Sequence, residues 1–148
     1  MARMTVTGLN GLISDMTDLA SLSEDVIDDI LNAEADVIVQ AQRAEIERQW
    51  KGPYSMGISA KSIKKDRKMR GLGRGRLYHY INVYPQGTRK RDGESISNAE
   101  IAFINEYGAP DRGIVARPAI SVSIAKSEET AEEAGEKVYR AYLDSKNL

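Results

Sequence analysis

From Ile101 to Ile120 the chain reads IAFINEYGAPDRGIVARPAI, and the punctuation of this stretch sorts the rest of the fold. Between Asn98 and Tyr107, apolar residues at Ile101, Ala102, Ile104 and Tyr107 form a helical stripe, with Asn98 placed to cap the first turn. Gly108 follows, where a helix commonly stops on a left-handed residue. Ala109–Gly113 is turn chemistry. Ile114-Val115 is a short apolar run. Pro118 holds Arg117 extended and is suited to open a new helix as a first-turn residue. The stretch contains no Cys or His and no Ser beside a base, so it predicts architecture rather than chemistry.

Downstream, Ile120, Ile124, Ala131, Ala134, Val138, Ala141 and Tyr142 predict a terminal helix over about 118–143, with a soft acidic middle at Ser127–Glu133. Upstream, Thr88–Ser97 reads as a polar loop. Leu77–Tyr84 alternates as a strand, Leu77, His79, Ile81 and Val83 on one face and Tyr78, Tyr80, Asn82 and Tyr84 on the other. Tyr54–Asp66 reads as a short helix or ordered turn. Before it, Val26, Ile27, Ile30, Leu31, Val37, Ile38, Ala41, Ala44 and Ile46 predict a helix over about 22–50, roughly 40 Å long. Ser21 and Glu24 form a capping box at its start, Gly52-Pro53 ends it, and Trp50 reads as a packing anchor. Leu12–Leu19 suggests a further short helix within a lead-in over 1–20.

The predicted class is α+β: one domain over 21–148, with a small, mainly antiparallel sheet packed by a long N-terminal helix and a C-terminal helix, and a mobile basic loop at about 61–76. Two strands, Leu77–Tyr84 and Ile114-Val115, are too few to stand alone. Either the Ser55–Asp66 region adds a strand, or other copies of the chain complete the sheet.

The 148 residues suffice for one domain with a real core. The absence of cysteine excludes disulfides and thiolate chemistry. No apolar run approaches the roughly 18 residues that span a membrane, and Met1–Asn10 has no apolar signal core. Net charge is −1, but residues 1–50 carry −7, residues 61–91 carry +10 and residues 92–148 carry −5. A basic middle between acidic ends suits self-association or contact with a polyanion. Lys64, Lys65, Arg67, Lys68, Arg70, Arg74 and Arg76 concentrate that charge beside Gly71, Gly73 and Gly75, and read as an exposed loop or hairpin tip. This is not a phosphate loop, because it neither follows an apolar strand nor opens a helix. The residues support two readings of Lys61–Arg91 equally: contact with a nucleic-acid backbone, with Tyr78 and Tyr80 stacking on single-stranded bases, or contact with the acidic helices of a neighbouring subunit.

His79, the sole histidine, sits on an apolar strand face with no partner visible in the sequence, and reads as a half-buried packing residue. The carboxylates at Asp25, Asp28 and Asp29, and at Glu128, Glu129, Glu132 and Glu133, read as dipole complement and solvated face rather than as metal ligands. Glu106 and Arg117 flank a short loop and suggest a salt bridge that sets its shape, contributing about 0–1 kcal/mol if exposed. No cofactor and no catalytic residue is expected.

Glu106-Tyr107-Gly108, a short loop, then Ala116-Arg117-Pro118-Ala119 before a terminal helix resembles the head–tail joining or tail-completion proteins of long-tailed bacteriophage necks, the HK ninety-seven gene-product-ten-like family. Gly57, Ile58, Ser62 and Ile63 resemble that family's Gly-x-Leu-x-x-Ser-Ile segment, and a looser similarity runs from Ser55 to Leu143. After Arg-Pro the family usually carries a large apolar residue and soon a second Pro, whereas this chain has Ala119-Ile120 and no second Pro. The resemblance implies a non-enzymatic virion protein, assembled in the host cytoplasm. It would form a homo-oligomeric ring, six copies being expected, between a head-completion or connector protein and a tail terminator or tail tube protein, with DNA in the lumen. It also implies subunit or partner contacts at Asn98, Glu106, Tyr107, Gly108, Arg117 and Pro118, and favours the subunit reading of the basic segment.

Overall fold

The structure, a computed structural model, describes residues 22–52, 57–67, 69–73 and 76–147. Helix α1 (Glu24–Gln49) matches the predicted span. Its N-cap is Ser23, without a side-chain capping bond, and the Ser21 of the expected capping box lies outside the described residues, as does the helix suggested at Leu12–Leu19. A short helix α2 (Ile58–Ser62) turns directly into β1 (Ile63–Lys65), so the region before the basic stretch does add a strand.

The basic stretch itself is a hairpin. Strand β2 (Met69–Gly73) pairs antiparallel with β3 (Arg76–Tyr80), and β1 pairs with β4 (Val83–Pro85). The two pairings are separate two-stranded sheets that follow one another along the chain. The register runs Ile63↔Pro85 and Lys65↔Val83, then shifts by one residue to Met69↔Tyr80 and Gly73↔Arg76. The interval between the two pairings is one residue longer on the first side than on the second. The break between the two sheets splits the predicted Leu77–Tyr84 strand at Ile81-Asn82.

Two expectations for the next segment are corrected. Thr88–Ser97, read as a loop, is a second hairpin of β5 (Thr88–Arg91) and β6 (Glu94–Ser97). It turns at Asp92 (φ 52°) and Gly93 (φ 86°), the positive-φ pair that a tight Asp-Gly hairpin turn requires. Helix α3 (Asn98–Tyr107) and a 3-10 turn at Pro110–Arg112 follow. The expected strand at Ile114-Val115 reduces to one isolated bridge, Ala109↔Ile114. Helix α4 (Ala119–Ser145) runs unbroken through its acidic middle.

The core forms where α1 and α4 pack antiparallel, closed at one end by Trp50, Ala60, Ile63 and Ala102. The face of α4 turned to α1 differs from the predicted stripe. Its buried positions are Ala119, Ser123, Ser127, Ala131 and Gly135, small residues at every fourth place, whereas Ile124 is 49% exposed. Small side chains let two helix axes come close, and that proximity leaves no room for Ile. The serines satisfy their hydroxyls within the helix, Ser123 Oγ donating to Ile120 O at 2.7 Å and Ser127 Oγ to Ile124 O at 3.4 Å. At Gly135 a Cβ would lie 2.4 Å from Glu34 Oε1. Burial there, and secondarily Glu132, push the Glu34 carboxyl above its ordinary pKa. The stripe expected on α1 is likewise rotated. Its buried residues are Asp28, Ala35, Val39, Gln42, Glu45 and Ile46, and of the predicted apolar positions only Ile46 is fully buried.

Glu45 anchors the polar edge of this seam. Its carboxylate accepts from Arg48, from Gln49 Nε2 at 2.6 Å and, across the helices, from Lys126 Nζ at 3.3 Å. These bonds, Arg48's first, hold its pKa down to about 2. A depressed carboxylate stabilises the fold above its unfolded pKa, and that stability is lost as pH falls through the folded value. Chemical denaturation from pH 7 to 2 should therefore show Glu45→Gln losing less stability than the wild type between about pH 4.5 and 2. Packing at the seam is checked by Ser123→Leu. Overpacking a site 1% exposed should cost about 1–3 kcal/mol or more, read as a lower urea midpoint, whereas Ser123→Ala should stay within about 1 kcal/mol.

Candidate functional site

Helix α3 hands the chain to α4 through a corner in which Glu106-Tyr107-Gly108 and Ala116-Arg117-Pro118 form one unit. Gly108 has φ 78°, and a Cβ on it would lie 2.8 Å from both Ala116 N and Ile114 O. Glycine is thus required there twice, by conformation and by the approach of the next strand of chain. The loop closes on itself with reciprocal bonds between Ala109 and Ile114, at 2.9 and 3.0 Å. Arg117 is then clamped. Its N–H donates to Asn105 O at 2.7 Å, its Nη2 donates to Asn105 Oδ1 at 2.8 Å, and its carbonyl accepts from Trp50 Nε1 at 2.7 Å.

The expected Glu106–Arg117 salt bridge does not form. Pro118 occupies the N-cap of α4 and has no side-chain acceptor for the helix's first N–H groups. Glu106 reaches across from α3 to supply one, accepting from Ile120 N and Ser121 N, each at 2.8 Å, and from Ser121 Oγ at 2.5 Å. A carboxylate at a helix N-terminus also meets the favourable end of the dipole. Asn98, expected to cap α3, stands one position too late. Ser97 is the cap, its Oγ accepting from Ala99 N and Glu100 N, and Asn98 turns inward, donating to Gln86 O and accepting from Arg89 Nε, both at 2.8 Å. Of the six residues expected at a partner contact, Tyr107 and Pro118 are exposed, Asn98 and Glu106 are buried, and Gly108 and Arg117 are half-buried within the corner.

Beside this corner lies an apolar groove between α3 and α4. Phe103 and Tyr107 are 63% and 65% exposed, with ring centroids 4.8 Å apart, and Ile124 faces them from α4. Ala102 and Ile120 line its base, and Pro85 adjoins it from β4. Tyr107, assigned to the inner stripe of α3 from its spacing, belongs instead to this outer face with Phe103. Phe103 was not singled out by sequence reading, and Ile124 was assigned to the inner stripe of the terminal helix. The available signal was Phe103 and Tyr107 at i, i+4, off the Ile101/Ala102 face.

The basic segment does not form a uniform cationic patch. Lys65 is committed to α1, donating to Asn32 Oδ1 at 2.8 Å and pairing with Asp36 at 2.6 Å. Arg89 points inward to Asn98 and Ser59. Lys64, Arg67, Lys90 and Arg91 are exposed. Arg70 and Arg76 stand on β2 and β3, while Lys68 and Arg74 lie outside the described residues. Tyr78 and Tyr80 stack on each other, centroids 5.6 Å apart, and the Tyr78 ring covers Gly71 across the ribbon.

His79 has the partner that the sequence hid. Its Nδ1 lies 2.8 Å from Asp28 Oδ1, 51 positions away in the chain, with the two side chains 7% and 1% exposed. The pair ties β3 to the first turns of α1. Among the described residues no group of three or more His, Asp or Glu is placed to hold a metal ion, and no helix is long and apolar enough to cross a membrane. Compared with models of known protein families, with curated proteins and with solved structures, the chain shows no significant match.

The corner's dependence on Glu106 is directly testable. Glu106→Ala removes the cap of α4 and leaves the partly buried N–H groups of Ile120 and Ser121 without their acceptor. It should lower stability by about 1–3 kcal/mol in urea denaturation, and Glu106→Asp, one methylene short, should recover only part of that.

Proposed function

We propose that the chain is a structural assembly subunit, a neck or tail-completion protein of a long-tailed bacteriophage. It would act as a ring of copies between the head-completion or connector protein and the tail terminator or tube, assembled in the host cytoplasm and retained in the virion. The observation that carries this reading is the outward placement of Phe103, Tyr107 and Ile124 in one groove. Contiguous exposed apolar surface of this kind marks an interaction site. The groove is built on the same corner that bears the family-like Glu-Tyr-Gly and Ala-Arg-Pro segments. Its work would be shape and interface rather than chemistry.

A nucleic-acid module using Lys61–Arg91 is the competing reading. It is weakened by the engagement of Lys65 with Asp36 at the surface of α1 and of Arg89 inside the fold, which commits two of the segment's cations to other groups of the chain.

Native mass spectrometry of the purified chain, alone and with a short DNA duplex at low and moderate salt, separates the two. The assembly reading predicts a closed oligomer, six copies being expected, whose mass does not change with DNA. Phe103→Ser with Tyr107→Ser should shift it to smaller species at the same concentration. Loss of one buried aromatic contact is worth about 1.5–3 kcal/mol, or roughly 10- to 100-fold in dissociation constant. A monomer or dimer that holds DNA until salt strips it off would overturn the proposal.

A further inference from the structure

The β1–β4 and β2–β3 sheets lie on the same side of α1. Asp28, Asn32 and Asp36 stand one turn apart on one face of that helix, and they meet His79 of β3 and Lys65 of β1. Arg43, further along the same face, donates to Ile63 O at 2.7 and 3.1 Å. Ile63 is buried in the core and Val83 packs against it. Successive side chains of a strand point to opposite faces. Lys64 and Tyr84, paired across β1 and β4, are therefore turned away from α1, as are Tyr78 and Tyr80 on either side of His79. Exposure agrees: Tyr78 is 50% exposed and Tyr84 41%, against 7% for the His79 side chain. Lys64 and Arg67 are exposed as well.

This outward face is shaped for flat aromatic contact. Gly71 stands opposite Tyr78 in the register, and a Cβ there would collide with the Tyr78 ring. The missing side chain lets the ring lie across the neighbouring strand, and Tyr80 stacks beside it with 28° between the planes. Tyr84 is pinned from its polar end, its hydroxyl donating to Asp66 Oδ1 at 3.1 Å. Gln86 Nε2 donates to the same oxygen at 3.1 Å, so that carboxylate is engaged within the face. From Tyr80 to Tyr84 is about 13 Å of strand, the length of roughly four stacked nucleotides.

We propose that this face binds single-stranded nucleic acid. Bases stack on Tyr78, Tyr80 and Tyr84, and Lys64 and Arg67 meet the phosphates. Aromatic rings beside cations are the sequence-tolerant mode of single-strand recognition. In a duplex the bases are already stacked and paired with one another, so the rings gain nothing and only the cations are left to act. Charge complementarity favours a polyanion, since residues 61–91 carry +10. Lys65 and Arg89, engaged by other groups of the chain, take no part. The face is separate from the α3–α4 groove, and it adds a ligand to the assembly subunit without replacing its role.

The intact chain is titrated onto a fluorescent twelve-residue oligothymidylate and onto a duplex of the same length, at about 50 and 200 mM salt, with anisotropy as the readout and native mass spectrometry in parallel. The single strand should bind at least tenfold more tightly. Tyr78→Ala and Tyr84→Ala should each weaken it roughly 5- to 100-fold, while Tyr78→Phe, which keeps the ring, stays within about twofold. Lys64→Gln should reduce the salt slope by about 0.7, whereas Lys137→Gln, a cation removed from α4, should leave it unchanged. The Lys64→Gln slope decides the matter even where a Tyr→Ala variant fails to fold. Equal affinity for strand and duplex, or full affinity in a folded Tyr78→Ala chain, would overturn the site. So would a chain that ignores the single strand but loses oligomer mass in Tyr78→Ala; the face is then a subunit contact and the assembly reading stands. A chain that stays monomeric at every concentration yet binds the strand through these rings would keep the site and overturn the assembly reading.

Discussion

The close approach of α1 and α4 constrains everything built around them. A helix can present small residues at every fourth position and still pack well, provided the facing helix comes near enough to fill the space. Ala119, Ser123, Ser127, Ala131 and Gly135 do this along most of α4. The cost is that the bulky apolar residues of α4 cannot occupy the seam. Ile120 and Ile124 are rotated toward α3, where Ala102 covers part of them and the rest faces outward. The apolar groove is therefore a by-product of tight helix packing, and it exists whether or not a partner fills it.

The corner between α3 and α4 keeps that groove rigid. Arg117 and Trp50 fix the entry to α4 on the end of α1, and Glu106 fixes its first turn on α3. Each bond crosses between elements rather than running within one. Loosening any of them moves the walls of the groove relative to each other. This gives the Glu-aromatic-Gly and Ala-Arg-Pro spacing a physical account: acceptor, close-approach glycine, clamp and helix start must stand at these separations for the loop to close. Only the aromatic residue of the first triplet projects to the surface.

How much of this was legible in the sequence follows from the physics of each element. The long helices were, because their stripes run for many turns, and so was the α+β class. The phase of those stripes was not. A 3.6-residue pattern of Ile and Val competes with a pattern of Ala, Ser and Gly four apart, and hydrophobicity alone favours the wrong one when the helices pack closely. The β5–β6 hairpin was missed although Asp92-Gly93 signals its turn, because Thr88–Arg91 carries three cations and almost no apolar alternation. Long-range polar partners were out of reach: nothing in the sequence pairs His79 with Asp28, or aims Glu106 at a helix start rather than at Arg117. Phe103 was overlooked because an exposed aromatic looks like a buried one until the helix is placed.

The charge map reads differently once its cations are placed in the fold. A basic middle between acidic ends describes a sequence, but in the fold part of that charge is turned inward. Lys65 is engaged by Asp36 and Arg89 by Asn98 and Ser59, while Lys64, Arg67, Lys90 and Arg91 stay exposed, as do Glu100 and Glu128 on α3 and α4. Part of the basic excess is therefore structural, holding β1 on α1 and the start of β5 against Asn98, and only the remainder lies at the surface.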